Sequence, residues 1–360
     1  MRGQTDSQGN IFYYLNLEER VGADHPLRKI KGWADEALKR LHPTFEGMYS
    51  SLGRPSIPPE RLLKSMVLIA LYSVRSDRLF CEKLDHDLLF RWFLDMNVEE
   101  ASFDASSFSK NRDRLVEHEV SGKFFEEVTR LARKGGLLSD DHFSVDGTLI
   151  EAWASMKSFR PKGDSGPMDG GNSQADFKGQ KRSNETHRST TDPDARLYRK
   201  GNGQPARLCY SGHVLMENRN GLCVDMSVLE AAAPEIAAAQ GLLDRQRKRG
   251  IRPESVGADK GYHSKGMVTY CRAYGIKPHL ARIEGRKTPG LDVRNVASEG
   301  YRLSQKLRKR IEEIFGWMKT VGGLRKTRFR GLARVCQHAQ MVAASYNLLR
   351  ISRLMPLQTG

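Results

Sequence analysis

The sequence predicts an α/β protein in which an all-α N-terminal domain precedes a larger domain of mixed strands and helices. Two observations support this prediction. Apolar residues recur at helical spacing through roughly the first 135 residues, and further on they alternate with polar residues in short runs bounded by glycine. The expected boundaries are residues 1–135 for the helical domain and 140–350 for the α/β domain. A chain of 360 residues is long enough for two such domains.

The composition indicates a folded protein that binds a polyanion. Hydrophobic residues make up 39% of the chain, which excludes a wholly disordered protein. Lysine and arginine number 59 against 43 aspartates and glutamates, so the formal net charge is +16. Such an excess attracts nucleic acid, and a ribosome-associated or simply basic protein is the plainer alternative.

Cysteine usage and hydropathy suggest where the protein works. The five cysteines are scattered and form no CxxC pair, which argues against a disulfide framework or a zinc site and for a reducing cytosol. No apolar run is long enough to span a bilayer, and the first residues lack the apolar segment of a signal peptide. We therefore expect a cytoplasmic protein with no membrane partner.

The predicted N-terminal helices include one with a basic face. Residues 58–70 begin with two prolines that suit a first helical turn and continue with apolar residues at helical spacing. In DASSFSKNRDRL, Asp104 or Ser106 can cap a helix that carries Lys110 and Arg112. The pattern is compatible with helix-turn-helix DNA binding, and equally with a dimerisation or scaffold domain whose basic face is solvated.

A strand and a long loop open the α/β domain. Residues 141–154 alternate apolar and polar side chains, which predicts a strand with Asp146 near its centre and a glycine turn near Gly147. Residues from about 155 to 205 are rich in Gly, Ser, Asp, Asn and Lys and poor in apolar residues. We expect a long mobile basic loop there, either contacting DNA phosphates or serving as a solvated linker.

The remaining elements are predicted from turn and periodicity signals. The clearest boundaries are a hairpin turn at 218–221 and a glycine that follows the basic end of a helix. The predicted order is strands at 207–216 and 222–229, a helix ending near Gly250, a short strand ending at Asp259, a short helix and strand, a basic helix at about 303–319, and a final helix at about 335–354.

Three carboxylates stand on separate elements of this domain. Asp146 lies on one strand, Asp259 follows another just before a glycine turn, and Glu312 or Glu313 lies on a helix. Mg²⁺ prefers oxygen ligands, and two such ions can activate an attacking oxygen and stabilise a leaving one. The pattern therefore suits two-metal phosphoryl transfer, although each carboxylate alone could be an ordinary solvated or paired side chain.

Helix geometry favours Glu312 over Glu313. At about 100° per residue, Arg308, Glu312 and Lys319 share one face of the predicted helix. The apolar stripe that would face the core consists of Leu307, Ile311, Ile314 and Met318. Glu312 would then bind metal between two cations that contact DNA phosphates, whereas Glu313 would pair with Lys309 or face the solvent.

Other cations are candidate DNA contacts. Lys260 follows Asp259 and could contact a phosphate near the reacting bond. The segment GGLRKTRFRG contains a dense cluster whose members we expect to bind phosphates, namely Arg325, Lys326, Arg328 and Arg330. Phe329 stands among them and would either stack on a base at a frayed end or lie in the core.

Several of these segments together resemble one protein family. The spacing R-x3-E-x6-K at Arg308, Glu312 and Lys319 is similar to the signature around the third acid of DDE transposases from bacterial insertion sequences, families four and five. SVDGT around Asp146 and ADKGY around Asp259 resemble the first two acids of that group. The resemblance covers nearly the whole chain in order; the other matching segments are THRSTTDPDARLYRKG and, as in the N-terminal domain of family five, RPSIPPERLL, LYSVRSDR, LLFRWF and SSFSKNRDRL.

The resemblance implies a fold, a reaction and partners. The α/β domain would be an RNase H-like mixed sheet flanked by helices, in which Asp146, Asp259 and Glu312 hold two Mg²⁺ or Mn²⁺ ions. The enzyme would cut double-stranded DNA at the terminal inverted repeats of an insertion sequence and join the 3′-hydroxyl ends to target DNA. A homodimer or higher oligomer, associated with the bacterial nucleoid, would hold both ends.

One departure and two alternatives remain open. Gln305 occupies the position of a tyrosine in the family-four signature, so the route of second-strand cleavage does not follow from the resemblance. The chain could instead be a DNA-binding regulator with an inactive catalytic domain, or a nuclease of the same fold that only hydrolyses. A metal-free phosphoesterase is disfavoured, because the candidate histidines form no cluster in the sequence; they are His142, His213, His263 and His279.

Overall fold

The computed structural model describes residues 15–49, 52–53, 55–163, 182–201, 203–289, 291 and 293–355. Up to residue 134, the regular elements of the described residues are all helices, as predicted. They are α1 Leu17–Arg20, α2 Pro26–Glu46, α3 Pro59–Leu71, α4 Asp77–His86, α5 Leu88–Phe93, α6 Ala105–Glu117 and α7 Val120–Lys134.

The N-terminal signals in the sequence explain where these helices begin. Pro59 occupies the first turn of α3. Backbone N–H groups in the first turn have no intrahelical acceptor, so the N–H that proline lacks costs the helix no hydrogen bond. The carboxylate of Asp104 accepts a hydrogen bond of 2.8 Å from the backbone N–H of Ser107, so Asp104 rather than Ser106 caps α6.

The rest of the chain alternates strands and helices. In order, the elements are β1 His142–Glu151, β2 Phe159–Pro161, β3 His187–Ser189, β4 Arg196–Tyr198, β5 Arg207–Glu217, β6 Leu222–Glu230, α8 Glu235–Lys248, β7 Ser255–Ala258, α9 Lys265–Ala273, β8 Lys277–Leu280, α10 Val293–Ala297, α11 Glu299–Leu307, α12 Ile311–Thr320 and α13 Leu332–Leu354. Short 3₁₀ turns occupy Met156–Ser158, Lys260–Tyr262 and Arg308–Arg310.

The main sheet is mixed and has β1 at its centre. On one side β1 pairs antiparallel with β5, which pairs antiparallel with β6. On the other side β1 pairs parallel with β7, which pairs parallel with β8. The short β4 extends the edge beside the first residues of β5. The spatial order β6-β5-β1-β7-β8 and the flanking helices confirm the RNase H-like fold that the resemblance implied.

Helices cover both faces of this sheet. On one face, α8 and α9 pack against apolar side chains of β1, β5, β6, β7 and β8. On the other, α12 and α13 join a core that also contains the N-terminal helices. Helix α13 contacts α2, α3 and α7 as well as β6 and buries side chains around its circumference. Within the described ranges, no helix has the length and hydropathy that a membrane-spanning segment requires.

Gly147 lies inside β1 and does not make the turn expected there. The strand continues to Glu151, and Gly147 is paired with His213 of β5. A Cβ atom on Gly147 would lie 3.1 Å from Nδ1 of His213. The glycine is therefore explained by the close approach of the buried imidazole on the neighbouring strand.

Two further predictions need correction. The region 155–205 is not one structureless loop, since its described residues contain β2, β3 and β4, and β4 joins the main sheet. Residues 164–181 and 202 of that predicted loop lie outside the described residues. The helix expected at 303–319 is divided, because the 3₁₀ turn at Arg308–Arg310 separates α11 from α12.

Candidate active site

The register of the central strands brings the first two acids together. In the parallel pair of β1 and β7, Ser144 is opposite Gly257. Two residues further along the two strands stand Asp146 and Asp259, so these aspartates lie at the same level where the strands separate. The backbone N–H of Gly147 donates to Oδ1 of Asp146 at 2.7 Å, and that of Gly261 donates to Oδ1 of Asp259 at 2.8 Å.

Glu312 is the glutamate whose charge reaches this pair. It lies in the first turn of α12, a helix that contacts β1. Burial, followed by repulsion from Asp259, Glu235 and Glu312, raises the pKa of Asp146 from its ordinary value of 3.8 to about 6. Both glutamates are exposed, but the charge of Glu313 acts on Tyr346 of α13. The electrostatic coupling thus groups Glu312, and not Glu313, with Asp146.

The donor chemistry of these acids suits a hard divalent cation. Asp146, Asp259 and Glu312 form no ion pair with a lysine or arginine of the described residues, although the chain carries a net charge of +16. Unpaired carboxylate oxygens are the ligands that Mg²⁺ and Mn²⁺ prefer. Across the described ranges, no three metal-binding side chains are close enough to hold an ion as they stand. A bound cation would therefore have to draw the carboxylates inward.

Two residues of the site were not predicted from the sequence. Glu235 opens α8, and burial together with the charge of Asp259 raises the pKa of its carboxyl group. The side chain of Tyr262 is buried next to Asp146, Glu235 and Asp259, and burial and these charges raise the pKa of its phenol. A glutamate after a proline is typical of a helix start, so its sequence context carries no signal of a site.

Lys319 lies close to the acids and to other cations. Its pKa is lowered by burial and by the charges of Lys200 and Arg325, while Glu312 opposes this effect. Lys200, Lys319 and Arg325, with Arg207, line an open cavity of about 270 Å³. The clustering of cations around a half-buried lysine is suited to a phosphate group.

Arg308 is held in place by the residue that departs from the family-four signature. Its Nε atom donates to Oε1 of Gln305 at 2.8 Å, and Nε2 of Gln305 donates to the carbonyl of His279 at 2.5 Å. Gln305 therefore fixes α11 against β8 and orients the arginine. Lys260 is exposed and directly follows Asp259, so its side chain can reach a molecule that is bound at the acids.

The basic segment after α12 runs beside the end of β1. The backbone N–H of Glu151 donates to the carbonyl of Arg325 at 3.1 Å, and that of Thr327 donates to the carbonyl of Glu151 at 2.8 Å. Arg325 and Arg330 are exposed, as is Lys326, whose Nζ atom lies 3.6 Å from the Glu151 carboxylate. These three side chains remain available to a polyanion.

Arg112 and Arg328 form internal ion pairs, whereas the sequence predicted that they contact DNA. Both guanidinium groups pair with Asp77; Arg112 is buried and Arg328 is partly buried. Their Cζ atoms lie 4.6 and 5.0 Å from the ring centroid of Phe329, which favours the core alternative for that phenylalanine. Lys110, on the same helix as Arg112, is exposed.

The candidate histidines have structural partners. Nδ1 of His142 is 3.0 Å from Oγ of Ser255, and the backbone N–H of Ile283 donates to Nδ1 of His263 at 2.9 Å. Burial lowers the pKa values of His142 and His213 to about 4, so both imidazoles are neutral at pH 7. These contacts and the neutral state indicate a structural role for His142 and His213.

Comparison with known proteins identifies the family. A family model described as a transposase domain (DUF772) matches residues 15–114, and one described as a transposase DDE domain matches residues 139–348. Among solved structures, the piggyBac transposase synaptic complex with hairpin DNA is 10% identical over 93% of this chain and 77% of that chain, with a TM-score of 0.42. The Mos1 transposase paired-end complex with left transposon end is 12% identical over 79% and 86%, with a TM-score of 0.21. By its family-model match, the chain belongs to the DDE-domain transposases.

Proposed function

We propose that this transposase cuts DNA at the ends of an insertion sequence of family five and joins the freed 3′-hydroxyl groups to target DNA. The observation that carries the proposal is the grouping of Asp146, Asp259 and Glu312. Three unpaired carboxylates from two adjacent strands and a helix are gathered within a strongly basic chain. Such an arrangement costs free energy unless cations bind there.

The three acids would hold two Mg²⁺ or Mn²⁺ ions. When bound, the ions lower the pKa of the attacking hydroxyl or water and neutralise charge that develops on the phosphate oxygens. Asp146 and Asp259 project from neighbouring strands of the sheet, so their relative position is rigid. Glu312 approaches from α12, and because the helix is a separate element, the third ligand can adjust when substrate binds.

Cations around the acids would bind the DNA backbone. Lys260 directly follows Asp259, Lys319 is coupled to Glu312, and Arg308 is oriented by Gln305. The outer contacts would be Lys110, Arg325, Lys326 and Arg330. Contacts of this kind position the duplex and make affinity fall with salt, while carrying little sequence information.

The reaction would proceed in two steps of the same chemistry. In the first, a water oxygen attacks the phosphorus at the transposon end, the bond from phosphorus to the 3′ oxygen breaks, and that oxygen leaves as a 3′-hydroxyl. In the second, this hydroxyl attacks a target phosphorus and displaces a 3′ oxygen of the target. No protein side chain needs to act as nucleophile, and a dimer or larger assembly would hold the two inverted repeats together.

A cleavage and joining assay tests this proposal. Purified protein is incubated with DNA that carries the sequence flanking its reading frame, a target plasmid, and Mg²⁺ or Mn²⁺. We expect new 3′ ends at the element boundary and products joined to the plasmid, both abolished by a chelator. Cutting without joining would indicate the nuclease alternative, and binding without cutting in either metal would indicate the regulator.

A further inference from the structure

We propose that Glu235 is a fourth metal ligand of the acidic site, an inference that rests on the proposed function. Glu235 is the first residue of α8. Its Oε2 atom lies 2.9 Å from the position that a Cβ atom on Gly261 would occupy, and Oδ1 of Asp259 lies 3.1 Å from the same position. The two carboxylate oxygens are therefore at most 6.0 Å apart, close enough for one cation to lie between them.

Neither carboxylate in this pair is neutralised by a cation of the protein. Among the described residues, the Glu235 carboxylate has no ion pair and no hydrogen bond, and the Asp259 carboxylate accepts only from the backbone N–H of Gly261. Glu235 is an exposed residue at a helix start, where its charge would complement the helix dipole in any direction the side chain took. Its carboxylate nevertheless lies close to that of Asp259, an arrangement that a shared cation would stabilise.

The hydroxyl of Tyr262 independently points to a polar ligand at this place. Only 1% of the residue is exposed, and its Oη atom is buried without a hydrogen-bond partner. The same hydroxyl lies within the electrostatic influence of Asp146, Glu235 and Asp259. Buried hydroxyl groups are nearly always hydrogen-bonded, and Mg²⁺ usually keeps several of its waters. A hydrated cation between the carboxylates would supply the missing partner.

A fourth carboxylate also completes the charge balance of the site. Asp146, Asp259 and Glu312 carry three negative charges, whereas two divalent ions carry four positive ones. With Glu235, the four carboxylates match the charge of two divalent ions. Glu235 would thus serve as a ligand on the Asp259 side of the site.

Manganese binding to the DNA-free protein tests the inference directly. Free Mn²⁺ is followed by electron paramagnetic resonance during titration of wild type, Glu235→Gln, Asp146→Asn and Glu254→Gln. Glu254 is the matched control, because it is an exposed glutamate at the opposite end of β7 from Asp259. We expect Glu235→Gln to weaken Mn²⁺ binding about tenfold or more, Glu235→Asp to restore part of the loss, and Glu254→Gln to bind as wild type.

The outcomes separate this inference from the proposed function. If Asp146→Asn loses Mn²⁺ binding while Glu235→Gln binds as wild type, Glu235 is not a ligand and the three-acid site stands. If wild type itself binds no Mn²⁺, both the fourth ligand and the metal site are refuted. Thermal unfolding in EDTA guards against a folding artefact, since Glu235→Gln should be at least as stable as wild type once a repulsive charge is removed.

Discussion

Asp146 combines burial with like-charged neighbours, a combination that a residue kept only for stability would not have. Its carboxyl group is repelled by the charges of Asp259, Glu235 and Glu312, and its one described hydrogen-bond donor is the backbone N–H of Gly147. Groups with such perturbed pKa values concentrate at functional sites, where stability is given up for chemistry. The metal-free protein should therefore become more stable when this charge is removed.

Asp146→Asn should raise the stability of the metal-free protein above pH 6. The folded state raises the pKa of Asp146 from 3.8 to about 6, so the folded protein binds this proton more tightly than the unfolded chain does. The resulting stability is present below about pH 4 and is lost as the pH rises through 6. At pH 8 the ionised group costs about 1–3 kcal/mol.

Thermal unfolding in EDTA at pH 5 and pH 8 measures this effect. The melting temperature of Asp146→Asn should exceed that of wild type at pH 8, and the difference should shrink at pH 5. Equal melting temperatures at both pH values would show that the Asp146 carboxyl group is not destabilised in the folded state.

Single residues carry a sequence signal where their context is distinctive. Asp146 and Asp259 stand next to glycines at or just after strands, and helix geometry favours Glu312. Glu235 was missed because its context is that of an ordinary helix start. For Arg112 and Arg328, the sequence shows their charge but does not reveal that Asp77 folds against both.

At the scale of elements, Gly322 lies just after α12 and in close contact with α13. A Cβ atom on Gly322 would lie 2.3 Å from Cγ1 of Val342 and 2.9 Å from the carbonyl oxygen of Met318. The backbone oxygen cannot move away without disturbing the end of α12. The absence of a side chain at Gly322 thus sets how closely α12 and α13 pack.

Gly322→Ala should destabilise the protein by about 1–3 kcal/mol, because the added methyl group overpacks this contact. The free energy of unfolding is measured by chemical denaturation. Gly316→Ala is the control, since Gly316 lies within α12 and has nothing within 4 Å of its Cβ position. That variant should be neutral or slightly stabilised. If both variants behave alike, the contact between the two helices is looser than the distances indicate.

At the scale of elements, local signals predicted the hairpin, the short strand before Asp259 and the last helix. They did not predict the interruption at Arg308–Arg310. Apolar residues keep their helical periodicity through this segment, but the helices before and after it pack against different strands. Ser304 and Gln305 hold α11 against β7 and β8, whereas α12 packs against β1. Because the two helices are held against different strands, the chain between them forms a tighter 3₁₀ turn.

In the whole molecule, Asp77 links the N-terminal helices to the catalytic region. Its carboxylate pairs with Arg112 of α6 and with Arg328 from the segment after α12. Apolar side chains from both regions also share one core around α13. The sequence predicted two domains, because helical periodicity gives way to alternating strands. The shared core could not be predicted, because it depends on how the helices of one region pack against those of the other.

Asp77→Asn should destabilise the whole molecule by about 3 kcal/mol, because two partly buried guanidinium groups would lose their counter-ion. Asp113→Asn is a matched control, since Asp113 of α6 pairs at 2.9 Å with Arg334 of α13 on the exposed surface. Loss of that pair should cost less than about 1 kcal/mol. Chemical denaturation measures both, and similar losses would mean that the Asp77 cluster is effectively solvated.

The most direct test of the catalytic site compares Glu312→Gln with Glu313→Gln in the cleavage and joining assay. The two residues are adjacent, both are exposed, and both substitutions remove one charge. Glu312→Gln should reduce cleavage and joining by about 10²-fold or more while leaving DNA binding intact, because a metal ligand is lost. Glu313→Gln should retain activity close to wild type. Activity retained by Glu312→Gln and lost by Glu313→Gln, or retained by both, would contradict the assignment of Glu312 as the third acid.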